Sequence, residues 1–257
     1  MALTDEEKQI IRALVKKSLD TAEAEWNKHG KVFEAATEGF ALDSIAKRAE
    51  IVPSRIPNHP FVSSEHSRVA EYVCLVADMR ESSKHLMQEY AGSKKTYTTM
   101  KRVYFETAAL LPALDQTIEF EGGSVTEYLG DGVLALFPVN PDERGPDLKS
   151  SLYAARNCIG ETRAIVNEEL YDRYLLPELH LGVGLGFGNG IIQTVGVPSR
   201  RHAKVIGPCV YYATKLSGGW DAILVNESLK VAWPSSKGGK LRFVEKSIRD
   251  VSGYQVY

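Results

Sequence analysis

The chain has 257 residues, enough for one large domain or for one domain with an extension. Its apolar fraction of 44%, its charged fraction of 25% and its formal net charge of −2 are ordinary for a globular protein and do not indicate a nucleic-acid surface. No apolar run is long enough to cross a bilayer and no signal-peptide pattern follows Met1, so we expect a cytoplasmic protein that contacts neither membrane nor nucleic acid.

The first quarter of the chain is predicted to form a helical extension and a linker. Residues 3–40 carry an apolar stripe among Lys and Glu, and Thr4 with the acidic residues after it makes a plausible N-cap. Residues 51–64 contain three prolines, which predict an extended linker. We therefore divide the chain into an extension with its linker, residues 1–64, and a regular domain, residues 65–257.

The regular domain alternates strands and helices in an α+β pattern. Strands are predicted at residues 69–77, 125–129, 133–137, 179–187, 190–195, 203–206, 223–226, 241–244 and 254–257. Helices are predicted just beyond Ser82 and Ser83, at 98–120 with a kink at Pro112, at 147–174 and at 210–216. The core order β-α-α-β-β-α-β predicts a mixed sheet with helices packed on one face.

The glycine-rich run LGVGLGFGNG, residues 181–190, does not match the G-x-G-x-x-G motif, because Phe187 takes the place of the third glycine. The chain also has no Walker A motif. Tight strand packing and a turn at Gly188-Asn189-Gly190 explain these glycines better than a phosphate-binding loop does.

Two aspartates stand at the ends of apolar strands. Asp78 closes the run VCLVAD, and Asp131 lies in the Gly-Asp-Gly turn of a predicted hairpin. Two carboxylates that face each other repel unless cations lie between them. Such a pair suits Mg²⁺ or Mn²⁺, which prefer oxygen ligands and usually arrive with nucleotide phosphates. Each residue also has a purely structural explanation, Asp78 as a helix N-cap and Asp131 as a turn residue.

In order and spacing, the Asp78 strand, the Gly-Asp-Gly hairpin and residues 181–217 resemble the class III nucleotidyl cyclases over residues 68–257. The chain is most similar to the bacterial pyrimidine cyclases of Pycsar antiphage defence, through its lone cyclase domain, short helical extension and atypical base-pocket residues. The resemblance implies a class III cyclase-like mixed sheet (βααββαβ core), with residues 65–257 as the catalytic domain. It also implies conversion of a nucleoside triphosphate into a 3′,5′-cyclic nucleotide and pyrophosphate.

The resemblance assigns metal and phosphate ligands. Asp78, Asp131 and the backbone carbonyl of Met79 match the ligands of two divalent cations, Mn²⁺ or Mg²⁺. The turn that holds the β- and γ-phosphates through backbone amides matches Arg80, Glu81, Ser82 and Ser83.

Three further basic residues are weaker phosphate candidates. Lys246 matches the family's triphosphate lysine, although a solvated lysine fits this position equally well. Arg200 and Arg201 lie in a predicted loop that could reach phosphates, but a solvated loop is the favoured explanation.

Two positions of the catalytic helix depart from the family pattern. Where the family has a transition-state arginine and an asparagine one turn earlier, this chain has Lys215 and Tyr211. Lys215 keeps a positive charge for the α-phosphate but lacks the bidentate fork of arginine. The alternative is a surface lysine, and the loss of the asparagine leaves the usual ribose contact open.

The family's two base-reading positions hold Glu127 and Lys204, in place of the lysine and aspartate that select adenine, which argues against ATP. Glu127 can accept a hydrogen bond and Lys204 can donate one, which suits uracil and cytosine, although guanine can also satisfy Glu127. Tyr211 narrows the pocket, so the predicted order is UTP, then CTP, then GTP. Alternatively, Glu127 and Lys204 form an ion pair and contact no base.

In the family, one protomer supplies both aspartates and its partner supplies the helix with the arginine. The same division predicts a head-to-tail homodimer with composite sites, whose product a separate effector protein reads in antiphage defence. The alternatives are a guanylate or cytidylate cyclase, a nucleotide-binding regulatory module without turnover, and a structural dimer domain.

Overall fold

The computed structural model describes residues 1–35, 51–87, 98–197, 200–235, 239–248 and 250–257, with the side chains of 28–35 left aside. The strands are β1 (Ile51–Pro53), β2 (Phe61–Ser63), β3 (Arg68–Met79), β4 (Ser124–Tyr128), β5 (Gly132–Pro138), β6 (Leu181–Val195), β7 (His202–Ile206), β8 (Ala222–Val225), β9 (Phe243–Ile248) and β10 (Val251–Val256). The α-helices are α1 (Asp5–Ala35), α2 (Ser82–Met87), α3 (Thr99–Phe120), α4 (Arg144–Asn157), α5 (Arg163–Tyr174), α6 (Pro208–Leu216) and α7 (Glu227–Ala232). A π-helical turn, Cys158–Thr162, joins α4 to α5.

The described residues form an eight-stranded mixed sheet in the order β4-β5-β3-β6-β8-β10-β9, with β7 paired to β6. The central strand β3 is antiparallel to both β5 and β6, while β6 and β8 are parallel. This arrangement confirms the predicted α+β fold with a mixed sheet. Among the described residues, no helix combines the length and apolar character that spanning a bilayer requires.

Residues 181–195 form one continuous strand, so the predicted turn at Gly188-Asn189-Gly190 is wrong. These three residues pair in register with Tyr72, Glu71 and Ala70 of β3. The ladder therefore continues through a segment whose local composition favours a turn, because pairing along β3 satisfies its backbone groups.

Helices cover both faces of the sheet, which corrects the expectation of helices on one face only. Alternate residues of β3 point in opposite directions: Val73 and Leu75 pack in the core beneath α1, α3, α4 and α5, whereas Cys74 and Val76 share a second core with α6. Both layers are apolar on the side that meets the sheet.

Helix α6 packs directly on the backbone of β6. A Cβ atom added at Gly182, Gly184 or Gly186 would lie 2.0 to 2.1 Å from a carbonyl oxygen of α6 or of the residue that caps it. Glycine is therefore required at these positions for close approach of a helix to the strand.

The N-terminal segments contribute to these two cores. Ile11, Val15 and Leu19 of α1 are fully buried in the larger core, and the part of the predicted helix beyond Ala35 lies outside the described residues. The predicted linker contains the antiparallel pair β1 and β2, and Val62 is buried in the α6-side core, so this segment is not simply extended. The division of the chain at residue 64 stays a prediction.

The two long predicted helices are present with changed details. Helix α3 runs for 22 residues and Pro112 does not end it, because buried residues on both sides of the proline hold it against the core. The helix predicted at 147–174 begins at Arg144 and contains the π-helical turn.

Candidate active site

The end of β3 brings Asp78 beside Asp131. Asp78 pairs with Gly132, the residue that follows Asp131, and the amide of Met79 donates a hydrogen bond to the carbonyl of Asp131 over 3.2 Å. A Cβ atom at Gly132 would lie 2.4 Å from the carbonyl oxygen of Ala77 and 3.1 Å from Oδ1 of Asp78, so glycine is required here by the close approach of the β3 backbone. The two carboxylates meet where β3 ends and β5 begins, as their strand positions predicted, and they are close enough for Asp131 to act on the Asp78 carboxyl.

The environment of Asp78 disfavours its charged form. Burial and, after it, the charge of Asp131 raise the pKa of Asp78 to about 6, although the guanidinium of Arg80 partly opposes this rise. Arg80 contacts the Oδ2 atom of Asp78 directly. A cation bound beside Asp78 and Asp131 would therefore stabilise the ionised forms of both carboxylates.

The oxygen atoms at the end of β3 and the start of β5 are suitable ligands for a divalent cation that is bound together with substrate phosphates. Among the described residues, no group of three or more His, Cys, Asp or Glu side chains is placed to hold a metal. The expected set is smaller, with the carboxylates of Asp78 and Asp131 and the carbonyl of Met79. Mg²⁺ typically binds through one or two carboxylates and completes its shell with water and substrate phosphates. The metal role of these three residues stays a prediction.

The expected phosphate-binding turn follows Asp78, with one change. The amide of Arg80 donates to the carbonyl of His180 over 2.8 Å, because β3–β6 pairing continues one residue past the strand. This amide is therefore not free for a phosphate. Glu81 adopts the left-handed region with φ 58°, and Ser82 and Ser83 open α2. The amides of Glu81, Ser82 and Ser83 remain the candidates.

Tyr211 and Lys215 lie one turn apart on α6. The Nζ atom of Lys215 is 5.9 Å from the centroid of the Tyr211 ring, a cation–π distance. Tyr211 is 53% exposed and Lys215 is also exposed, so both can meet a second chain or a ligand from the outer side of the helix.

Glu127 and Lys204 form an ion pair. Their side chains are 26% and 31% exposed, so the pair is partly accessible to a ligand. Glu127 stands at a register shift of β4, and Lys204 is paired with Gln193 between β7 and β6. The ion-pair alternative left open by the sequence is thus observed, and base contact by this pair stays a prediction.

The weaker phosphate candidates lie on other elements than Asp78 does. Lys246 is on the edge strand β9, separated from β3 by β6, β8 and β10, and donates to Oε1 of Gln255 over 2.8 Å. Arg200 is exposed in the connection between β6 and β7, and Arg201 is half-buried there.

One polar cluster next to the turn was not predicted. Nδ1 of His180 lies 2.6 Å from Oδ2 of Asp221, and Nη1 of Arg163 donates to the same oxygen over 3.1 Å. The ring of Trp220 is tilted against that of His180, with centroids 4.6 Å apart. His180 and Asp221 are 41 residues apart in sequence, so no local spacing signals their contact.

A second unpredicted cluster joins α2 to α3. Glu106, which is fully buried, binds both His85 of α2 and Arg102 of its own helix. The available sequence signal was an acidic residue on the apolar stripe of α3, beside Phe105 and Ala109.

Comparison with solved structures identifies the architecture. The guanylyl cyclase Cya2 superposes with a TM-score of 0.55 over 74% of this chain and 93% of that chain, at 18% identity. The adenylyl cyclase CyaB from P. aeruginosa gives 0.58 over 75% of this chain and 96% of that chain, at 14% identity. The chain has the class III cyclase fold.

Comparison of sequences gives weaker evidence than comparison of structures does. No family model matches the chain. An adenylate cyclase from Anabaena cylindrica is 26% identical over 144 residues, which are 54% of this chain but 28% of that protein. The chain therefore matches only a minor part of that curated relative. Similarity at these identities establishes the cyclase fold and leaves the reaction to be argued from the site.

Proposed function

We propose that the chain is a metal-dependent nucleotide cyclase that converts UTP into 3′,5′-cyclic UMP and pyrophosphate. The observation that carries this proposal is the convergence of Asp78 and Asp131 within a cyclase fold, directly beside the turn that opens α2. Asp78, Asp131 and the carbonyl of Met79 would hold two cations, Mn²⁺ or Mg²⁺, which supply positive charge at the attacking and leaving oxygens.

The turn after Asp78 is suited to the triphosphate tail. The amides of Glu81, Ser82 and Ser83 would donate to the β- and γ-phosphates. The guanidinium of Arg80, 14% exposed and in contact with Asp78, adds positive charge on the same side. These groups would orient the tail so that pyrophosphate leaves in line with the attacking 3′-oxygen.

The exposed side of α6 supports a composite site in a homodimer. Tyr211 and Lys215 of the partner subunit would face Asp78 and Asp131, and Lys215 would neutralise charge on the α-phosphate. An ammonium group provides this charge without the two-point geometry of a guanidinium. A two-fold symmetric dimer would contain two such sites, and the partner subunit's Lys246 could reach the triphosphate.

The partly exposed pair of Glu127 and Lys204 supports a pyrimidine preference. A uracil ring offers an N–H donor and a carbonyl acceptor, which match a carboxylate and an ammonium group that exchange part of their mutual contact for the base. Cyclic UMP would then act as a second messenger in antiphage defence, read by a separate effector protein.

Product analysis tests the proposal. The protein is incubated with Mn²⁺ and each of the four nucleoside triphosphates, and the products are identified by mass spectrometry. We expect cyclic UMP as the main product, and we expect Asp78→Ala and Asp131→Ala to abolish it. Asp142→Ala, which alters an exposed aspartate at the far end of β5, is the matched control and should retain activity.

Each other outcome points to a defined alternative. Cyclic GMP or cyclic CMP as the main product would move the base assignment to guanine or cytosine. Dominant cyclic AMP would overturn the base argument. Nucleotide binding without pyrophosphate release would identify a regulatory module, and turnover by Asp78→Ala would refute the metal assignment.

A further inference from the structure

The helix that follows the phosphate-binding turn is weakly anchored by apolar packing. Helix α2 has six residues, and within residues 82–87, all of them described, no side chain is buried. Its two large apolar residues, Leu86 and Met87, are 49% and 83% exposed. A helix this short has little stability of its own, so contacts with other elements must hold it in place.

A polar contact with α3 supplies that anchor. The Nδ1 atom of His85 lies 2.9 Å from Oε2 of Glu106. The His85 side chain is 13% exposed, and its backbone amide donates to the carbonyl of Glu81 over 3.3 Å. His85 therefore links the turn residue Glu81 to a side chain of α3.

Glu106 is suited to this role because it is itself fixed. Its side chain is fully buried, and its Oε1 atom accepts a hydrogen bond from Nε of Arg102 over 2.7 Å. A carboxylate offers only acceptors, so His85 carries its proton on Nδ1 and donates it. Both carboxylate oxygens are thus used, and a buried carboxylate that lost a partner would be strongly destabilised.

We propose that Glu106 is a positioning residue, which holds the phosphate-binding turn in place by anchoring α2 through His85. This inference rests on the proposed function, because the turn matters for catalysis only if it binds a triphosphate. Glu106 acts through another residue and does not touch the substrate. Its loss should therefore weaken triphosphate binding more than it slows the chemical step.

Amide hydrogen exchange tests the anchor without any substrate. In Glu106→Gln, a neutral amide replaces the charged acceptor, so the contacts with His85 and Arg102 lose their charge assistance even if His85 changes tautomer. We expect faster exchange at residues 80–87, with the sheet strands unchanged. Thr117→Val is the matched control, because Thr117 is fully buried on the same helix and bonds to Thr162 over 2.7 Å, away from α2. It should lower the melting temperature and leave exchange at 80–87 unchanged.

Steady-state kinetics test the consequence for function. We expect Glu106→Gln to raise KM for the triphosphate about 10-fold with kcat nearly unchanged, whereas Thr117→Val should change neither. His85→Ala removes the same contact without changing α3, and it should raise KM by a similar factor. It replaces Glu106→Gln in the test if that variant does not fold. His85→Gln keeps a donor and should recover part of the affinity.

The two hypotheses fail in different ways. Exchange at 80–87 equal to wild type in both Glu106→Gln and His85→Ala would overturn the positioning role. An equal rise in KM for Thr117→Val would also overturn it, since general destabilisation would then explain the effect. A wild-type protein without turnover on any triphosphate would overturn the proposed function, and the exchange result would still decide whether Glu106 anchors α2.

Discussion

Arg80 and Asp78 form an ion pair at the end of β3, with Nη2 of the guanidinium against Oδ2 of the carboxylate. The Nε atom of Arg80 also donates to the backbone carbonyl of Asp78 over 3.3 Å. Burial and Asp131 nevertheless outweigh this cation and raise the pKa of Asp78 to about 6. The ionised form of Asp78 is therefore tolerated at a cost to folding, which a bound cation would offset.

This cost predicts that Asp78→Asn is more stable than wild type near neutral pH. The folded-state pKa, about 6, exceeds the ordinary value of 3.8, so ionisation of Asp78 favours the unfolded chain as pH rises through this range. The advantage of the variant should be full above pH 6, shrink between pH 6 and 3.8, and vanish below. Calorimetry should show a rise in Tm of roughly 2–4 °C at pH 7.5. Asp142→Asn, at an exposed position, is the control and should leave Tm nearly unchanged.

A second prediction concerns the strained residue of the turn. Glu81 has φ 58°, a conformation that costs a residue with a side chain about 1 kcal/mol and glycine almost nothing. We expect Glu81→Gly to be about 1 kcal/mol more stable than Glu81→Ala, measured by denaturant unfolding. Both variants lose the exposed contact with Lys84, so their difference isolates the backbone. Equal stability of the two variants would contradict the strain.

Removing the carboxylate of Glu81 also removes negative charge from the proposed triphosphate site. Both Glu81→Gly and Glu81→Ala should therefore lower KM for the triphosphate by about 3-fold or more at low ionic strength. The difference should shrink as salt is added. An unchanged KM in both variants would place the triphosphate tail elsewhere.

Composite sites predict complementation between inactive variants. Asp78→Ala and Lys215→Ala should each be nearly inactive alone, because each homodimer lacks one half of both sites. Mixing them with subunit exchange should restore about a quarter of wild-type activity, since half of the dimers are mixed and each contains one intact site. A mixture as inactive as its components would indicate that Asp78 and Lys215 do not act across a dimer interface.

The close contact between α6 and β6 predicts opposite effects of two glycine substitutions. Gly184→Ala would place a Cβ atom 2.0 Å from the carbonyl oxygen of Ala213, so we expect a loss of about 3 kcal/mol in unfolding free energy. Gly160→Ala meets no atom within 4 Å in the helical turn between α4 and α5, and it should be neutral or stabilising by up to about 1 kcal/mol. Denaturant unfolding compares the two variants, and equal stabilities would contradict the close packing.

Sequence was sufficient for features that depend on local pattern and order. Asp78 and Asp131 could be placed together because Asp78 ends one apolar strand and Asp131 precedes another. When two such strands pair antiparallel, the end of the first lies beside the start of the second. The turn predicted at Gly188-Asn189-Gly190 failed because the full length of β3 was available for pairing, and composition reports nothing about a distant partner.

Contacts between side chains far apart in sequence could not be inferred in this way. Glu106 lies 21 residues from His85, and its place on the apolar stripe of α3 signals burial but does not identify His85 as its partner. The Glu127–Lys204 pair illustrates an intermediate case. The two residues were selected for a shared ligand, and the structure shows that they also satisfy each other.

Because no side chain separates α6 from β6, the axis of this helix is fixed by main-chain contact at Gly182, Gly184 and Gly186. Side chains on the outward side of α6 therefore do not contribute to this packing of the helix on the strand. Substitution at Tyr211 or Lys215 should accordingly leave this main-chain contact intact, so in the proposed site these positions could change without a compensating change at the three glycines.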